Sequence, residues 1–379
     1  MPLSFESLRK LAGFLLLLAG LLALAGQLHG NPVPAAADLP QFQNAQVTTQ
    51  TLQGPLAEQI RRWTTASRKP RWLGYAVGAI SGQHGICCSN YSNDSGNYCA
   101  ACALEDNGRA VRVNPSNGSP RSVKLEDMRE MAVLFRAEGG KLNRIREFTS
   151  DCPADAGGLD VLWLEGVPSA ESVAFLQSVV LASASAEESG ESLRKNALAA
   201  LALHADASTD RAMRSLVSAD RPEWLRRESA FWLGEARGAE GLSALQEMAQ
   251  NDPSDNVRAQ VSFALSVSRE PGALTEMIRM AHEDQSAHVR GQALFWLAHK
   301  ADRKAEATIT GAIQNDPDTE VKKKAVFALS QMPKDEGVPK LIEVAQTNKN
   351  PEVRKQAMFW LGQSQDPRAL AFFEKILAQ

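Results

Sequence analysis

Phe231-Trp232-Leu233, Phe263-Ala264-Leu265, Phe295-Trp296-Leu297, Phe327-Ala328-Leu329 and Phe359-Trp360-Leu361 recur at a fixed step of 32 residues. A basic residue keeps the same step five positions earlier, as Arg194, Arg226, Arg258, Arg290, Lys322 and Arg354. A fixed internal period of this length marks a chain built from stacked units, and it decides the reading of the fold.

Relative to the basic residue, Leu193, Leu225, Val257, Val289, Val321 and Val353 precede it by one position. Ala197, Ser229, Val261, Ala293, Ala325 and Ala357 follow by three, and Leu201, Leu233, Leu265, Leu297, Leu329 and Leu361 by seven. Steps of four place these residues on one face of a helix. A second apolar pair follows in each unit: Met213/Leu216, Leu245/Met248, Met277/Met280, Ile309/Ala312, Leu341/Val344 and Phe373/Ile376. Asp252-Pro253, Asp316-Pro317 and Asn350-Pro351 separate successive units and supply helix stop and start signals. Each unit is therefore a helix–turn–helix pair that cannot bury its apolar faces alone, and stacking makes a continuous core.

The Val-Arg pairs Val257-Arg258, Val289-Arg290 and Val353-Arg354, the small residue three on, the Leu seven on and the Asp-Pro turns resemble the HEAT-repeat family in its short bacterial form. The resemblance covers about half the chain and implies an α-solenoid whose usual work is binding proteins. The whole layout also resembles uncharacterised secreted bacterial HEAT-repeat proteins with a cysteine-bearing N-terminal domain. Some members of the family are phycobilin lyases or iron-dependent hydroxylases. The hydroxylases would require paired His-Glu motifs, whereas the repeats hold only His204, His282, His288 and His299, with one His-Glu step at His282-Glu283.

Two ladders run through the repeats. In the resembled family the basic residue bonds carbonyls or the Asp of a neighbouring turn, and the planar guanidinium suits that bridging better than free anion binding. The second ladder is Phe231, Phe263, Phe295, Phe327 and Phe359. It falls two residues, about 200°, from the core positions on either side. Family members usually carry a polar residue there. Either neighbouring helices cover these rings, or they form an aromatic strip of the kind that marks a partner surface. The alternation of Trp232, Trp296 and Trp360 with Ala264 and Ala328 reads as large-against-small packing between neighbouring helices.

Before the repeats the pattern changes. Residues 70–168 read as a small, mostly β domain. Trp72–Val77 and Asp160–Leu164 are strand-like, and Arg109–Val113 and Arg121–Leu125 alternate charged with apolar residues. Met131–Arg136 and Leu142–Phe148 flank Gly139-Gly140, a pair able to take the positive φ of a tight hairpin. Pro55–Ala66 reads as a short helix with Leu56, Ile60 and Trp63 on one face, and Ser169–Leu181 as another, capped by Ser169 and connecting into the repeats.

All five cysteines lie here: Cys87, Cys88, Cys99, Cys102 and Cys152, with His84 nearby. Three chemistries compete. Disulfides suit an exported chain and would staple the polar loop Ser89–Tyr98. Zinc would need four thiolates, or three with His84, and adjacent Cys87-Cys88 is a poor pair of ligands for one tetrahedral ion. A redox site at Cys99-Ala100-Ala101-Cys102 should follow a strand and open a helix, and the polar flanks show no such unit. The compartment favours disulfides, with one cysteine left over. Asp151–Asp160 carries three carboxylates beside Gly157-Gly158, with no His, Ser or Lys placed to complete a catalytic set, and reads as a turn.

Residues 1–37 read as an export signal with its cleavage region. Arg9 and Lys10 precede the apolar run Leu11–Leu22, and Ala23-Leu24-Ala25 and Ala35-Ala36-Ala37 offer cleavage sites. An uncleaved anchor is the rival reading and the one route to a membrane. The linker Asn31–Gly54, rich in Pro, Ala, Gln and Thr, leads into the short helix, so that 38–69 reads as a linker bearing one helix. The net charge of −3 gives no electrostatic footprint for nucleic acid. The expectation is a mainly α, exported scaffold or adaptor (periplasmic or extracellular) with six HEAT-like pairs over 191–379 and a preceding α+β domain. It binds a protein partner through the Phe ladder and needs no cofactor. The alternative is thiol redox or zinc-dependent activity at the cysteine cluster.

Overall fold

A computed structural model describes residues 39–81, 90–93, 96–99, 102–105, 123–124, 129–182, 188–300 and 302–378. The export signal, His84, Cys87 and Cys88 and the stretch Arg109–Val113 lie outside the described residues. From Leu39 onward the chain forms one compact unit.

The elements before the repeats are β1 (Phe42–Gln43), β2 (Val47–Thr51), α1 (Leu56–Thr65), β3 (Arg71–Gly78), β4 (Asn90–Asn93), β5 (Gly96–Cys99), β6 (Cys102–Ala103), β7 (Val123–Lys124), β8 (Glu130–Glu138), β9 (Lys141–Thr149), β10 (Ala154–Asp155), β11 (Val161–Glu165) and α2 (Ser169–Leu181). The main sheet has the order β2-β11-β3-β8-β9. Its first two pairings are parallel, and the β3–β8 and β8–β9 pairings are antiparallel. The hairpin turn between β8 and β9 is Gly139-Gly140, with φ of 64° and 83°, as a two-residue turn between right-twisted strands requires. A bulge after Arg136 shifts the register, so that Arg136 faces Arg144 while Ala137 faces Leu142. Two smaller sheets are β1-β10-β6 and β4-β5-β7.

The expected linker is a correction. Val47–Thr51 is not flexible but pairs with Val161–Glu165 along its whole length. Its Thr and Gln side chains are mostly exposed, so no apolar pattern betrays it. Backbone hydrogen bonding at the sheet edge holds it, together with the β propensity of Val and Thr. At α2, Pro168 rather than Ser169 occupies the cap position.

Alternation in the central strands sorts side chains onto two faces. One carries Leu73, Tyr75, Val77, Val133, Phe135 and Ile145 against Leu56, Ile60 and Trp63 of α1 and Val173, Leu176 and Val180 of α2. The other carries Trp72, Leu134, Phe148 and Trp163, packed with Cys102, Leu104 and Cys152. The first of these clusters continues without a break through Ala197–Leu203 into every following repeat as far as Phe372.

The repeats are six helix pairs. The first helices are α3 (Glu188–Ala202), α5 (Glu223–Ala236), α7 (Asp255–Val267), α9 (Ala287–Leu297), α11 (Thr319–Gln331) and α13 (Pro351–Gln363). The second helices are α4 (Ser208–Leu216), α6 (Gly238–Asn251), α8 (Gly272–Glu283), α10 (Arg303–Asn315), α12 (Lys334–Thr347) and α14 (Pro367–Leu377). The three periodic core positions are buried throughout, apart from the half-buried Leu193 that opens the series.

The basic ladder is structural. Arg226, Arg258 and Arg290 each form a two-pronged ion pair with an Asp 26 residues on: Asp252, Asp284 and Asp316. Arg258 also donates to the Asp252 carbonyl and Arg290 to the Asp284 carbonyl, both at 2.9 Å. Each Asp in turn accepts the backbone N–H of the residue two on, so one carboxylate shapes a turn and ties it to the preceding repeat. Where the ladder changes to Lys322, residue 348 is Asn and the ion pair is absent; Lys322 donates instead to the Gln314 carbonyl.

Candidate interaction surface

The Phe ladder emerges on the side of the first helices turned away from their core face. Phe231, Phe263, Phe295 and Phe327 are half-buried and Phe359 is 54% exposed. Their cover comes from one another. Phe231 stacks on Phe263 with centroids 5.9 Å apart and planes 12° from parallel, and Phe295 on Phe327 at 5.7 Å and 9°. Between these stacks the tryptophans bridge, Trp296 to Phe263 at 4.6 Å and Trp360 to Phe327 at 4.8 Å. Trp296 lies edge-on to Phe295 and Trp360 to Phe359, each pair 4.9 Å apart.

The result is a continuous aromatic ridge from Phe231 to Phe359. Its rhythm is set by the second letter of the tripeptide. Where that letter is Ala264 or Ala328, both fully buried, phenylalanines meet face to face. At Trp296 and Trp360 the indole covers the Phe of the preceding repeat, whereas Trp232, with no Phe before it, lies edge-on to Phe231. The Trp/Ala alternation is thus packing between repeats, as its spacing implies. The two outcomes weighed for the Phe positions merge: the rings are partly covered by helix neighbours and still present an aromatic strip to solvent.

The cysteine constellation divides differently. Cys102 and Cys152 are completely buried in the cluster behind the sheet, and the Cys102 N–H donates to the Pro153 carbonyl at 2.7 Å. Cys99 ends β5 and Cys102 begins β6, so extended backbone, not a helix start, surrounds Cys99-Ala100-Ala101-Cys102. Among the described residues no group of three or more His, Cys, Asp or Glu side chains is placed to hold a metal ion. Within Asp151–Asp160, read as a turn, Ala154–Asp155 is instead strand β10, paired with β1 and β6, and Asp155 at its end accepts the Gly157 N–H at 2.8 Å and an Asn44 side-chain N–H at 2.8 Å.

One polar cluster escaped the sequence reading. His204 Nδ1 lies 2.7 Å from the Ala200 carbonyl, its Nε2 lies 2.8 Å from Ser172 Oγ, and Ser172 Oγ lies 2.7 Å from the Tyr75 hydroxyl. A carbonyl only accepts, so Nδ1 carries the proton and neutral Nε2 accepts from Ser172, which accepts from Tyr75. All three side chains are buried, and burial pushes the His204 pKa down to about 4 and the Tyr75 hydroxyl up. Neither Ser172 nor His204 meets solvent, so this Ser–His contact is a clasp and not a nucleophile. It joins β3, α2 and the end of α3, where the Ile80 N–H also donates to the Leu203 carbonyl at 2.9 Å. Of the other histidines, His299 lies against Phe295 and His282 is exposed.

Comparison with known proteins bears on the repeats. A profile of HEAT repeats matches residues 211–298, 274–349 and 307–379. Residues 211–379 are HEAT repeats. The first pair, α3 and α4, begins before that match and extends the HEAT array in the same register through Arg194, Ala197 and Leu201. Among solved structures, the Escherichia coli protein YibA is 21% identical over 54% of this chain and 76% of its own, with a TM-score of 0.35. The complex of CpcE and CpcF of phycocyanin lyase from Nostoc gives 19%, 54%, 80% and 0.29. Human deoxyhypusine hydroxylase gives 15%, 55%, 90% and 0.26. No curated protein matches the chain.

Proposed function

We propose that this is an extracytoplasmic interaction scaffold or adaptor that binds a protein partner along the aromatic ridge of its HEAT repeats. The observation that carries the reading is the ridge itself. Five phenylalanines occupy a position that helix-pair packing does not use, and four of them remain half-exposed with the fifth open to solvent. Rigid aromatic groups held by their neighbours lose little freedom on binding, which makes such strips effective anchors. Export rests on the basic start, apolar run and small-residue sites of residues 1–37. The cysteines are assigned a structural, disulfide role. That assignment is supported by the full burial of Cys102 and Cys152 and by the absence of free thiols among the described cysteines.

The test replaces Phe263, Phe295 and Phe327 together with Ser in the full chain, followed by affinity capture from the cell envelope. Loss of a specific captured protein with the fold retained supports the reading; unchanged capture overturns it. Location is tested by fractionation with N-terminal sequencing of the mature chain. Recovery in the cytoplasm with Met1 intact removes the export assignment.

A further inference from the structure

The same helix face that bears the ridge is already occupied in the first repeat, and its occupant is a β-sheet. Counted from the basic residue, the face comprises positions two, five and nine. On α3 and the residue just after it these are Asn196, Ala199 and Leu203. Asn196 donates its side-chain amide to the Ile145 carbonyl at 3.1 Å, on β9, the edge strand of the main sheet. Ala199 stands where later repeats carry Phe and is 6% exposed, and the Leu203 carbonyl takes the N–H of Ile80 beyond β3. Among the described residues, the main sheet packs on α3 and not to any comparable extent on the first helices of the repeats that follow. Position two then reads Glu228, Gln260, Gln292, Lys324 and Gln356, all half-buried beside the phenylalanines. Four of the five can donate a hydrogen bond, as Asn196 does. Among the described residues none of the three glutamine side chains is engaged in a hydrogen bond.

We propose that the ridge seats an extended segment, the exposed edge strand of a protein partner, whose backbone carbonyls are taken by this row of amides while its apolar side chains lie on the phenylalanines. The proposal rests on the ridge being the binding surface and adds the class of segment that it takes. The ridge continues a face that holds a strand in this chain, and it repeats the one side-chain-to-carbonyl contact made there. A helical partner offers no such match, because its carbonyls are satisfied internally. An edge strand presents a row of unpaired carbonyl and N–H groups. Glu228 accepts rather than donates and pairs with a strand N–H or remains with Lys195, 3.8 Å away.

The probe is a synthetic nonapeptide with the sequence of Lys141–Thr149, titrated into the full chain by calorimetry. A helix-constrained peptide of the same composition serves as the comparison. The expected result is saturable binding of the extended peptide and weaker binding of the helical one. Gln260→Ala, Gln292→Ala and Gln356→Ala combined, surface changes that leave the melting curve in place, weaken it about tenfold. Phe263→Ser, Phe295→Ser and Phe327→Ser combined abolish it. No binding to the unmodified chain, tighter binding of the helical peptide, or equal affinity for the glutamine variant overturns the strand proposal. If affinity depends on the phenylalanines and not on the glutamines, the ridge remains the surface and strand recognition falls. If the folded phenylalanine variant binds as its parent does, both fall.

Discussion

Arg258 and Asp284, 26 residues apart in sequence, close a two-pronged ion pair with both side chains shielded from solvent. Removing one member strands a buried charge, which costs far more than the pair itself contributes. Asp284→Ala is expected to lower stability by about 3–5 kcal/mol in urea unfolding. The protein contains its own control, because Lys322 and Asn348 occupy the equivalent positions two repeats on. The double change Arg258→Lys with Asp284→Asn is therefore expected to cost less than the sum of the singles, with a coupling of about 1–3 kcal/mol. Strict additivity in the double-mutant cycle would count against the pair as a unit.

Acid should loosen the clasp between sheet and repeats. His204 holds its proton poorly in the fold, at about 4, against 6.5 for the free side chain. Between those values the unfolded chain binds a proton that the folded chain refuses, so stability falls as pH falls. The contribution is intact above about 6.5, declines through the window and is gone near 4, a total on the order of 3 kcal/mol. Urea midpoints measured across this range for the parent and for His204→Gln separate this proton from the carboxylates titrating below it. Parallel pH profiles would remove His204 from the account.

Residue 234 is a close-approach point between first helices. A Cβ on Gly234 would lie 2.1 Å from the Ala264 carbonyl oxygen, a backbone atom that cannot step aside. At the same register in the last repeat, a Cβ on Gly362 would meet nothing within 4 Å. Gly234→Ala is expected to destabilise by about 2 kcal/mol or more through forced helix separation. Gly362→Ala should stabilise by about 0.5–1 kcal/mol through helix propensity alone. Thermal melts of the two variants moving in the same direction would contradict the packing described.

What could be read from sequence follows from what kind of signal each feature leaves. Leu201 through Leu361 at a constant step, and Gly139-Gly140 between apolar runs, are local or periodic, and both held in the structure. The resemblance implies that the basic ladder bonds carbonyls or an Asp of a neighbouring turn, and the constant offset of 26 says which Asp. Val47–Thr51 left no trace because its strand is held by backbone bonds under polar side chains. Tyr75, Ser172 and His204 come from three separate elements, and nothing along the chain predicts their meeting. The offset of the Phe positions from the core face is legible in the period, but their mutual stacking runs along the solenoid axis, a direction that a single helix pair does not contain.

That stacking separates stability from surface in a measurable way. Phe359 ends the ridge with little beyond Trp360 beside it, and Phe359→Ala should change stability by no more than about 0.5 kcal/mol. Phe295 contacts Phe327, Trp296 and His299 while half-buried, so Phe295→Ala should cost about 1–3 kcal/mol, below the 3–5 of a fully buried ring. Ala328 is fully buried beside the Phe295–Phe327 stack, and Ala328→Trp inserts an indole where two rings already meet. Overpacking there should cost about 1–3 kcal/mol, although the equivalent positions in the flanking repeats carry Trp naturally. A wild-type melting temperature for Ala328→Trp would show that the alternation of large and small residues is not what spaces the first helices.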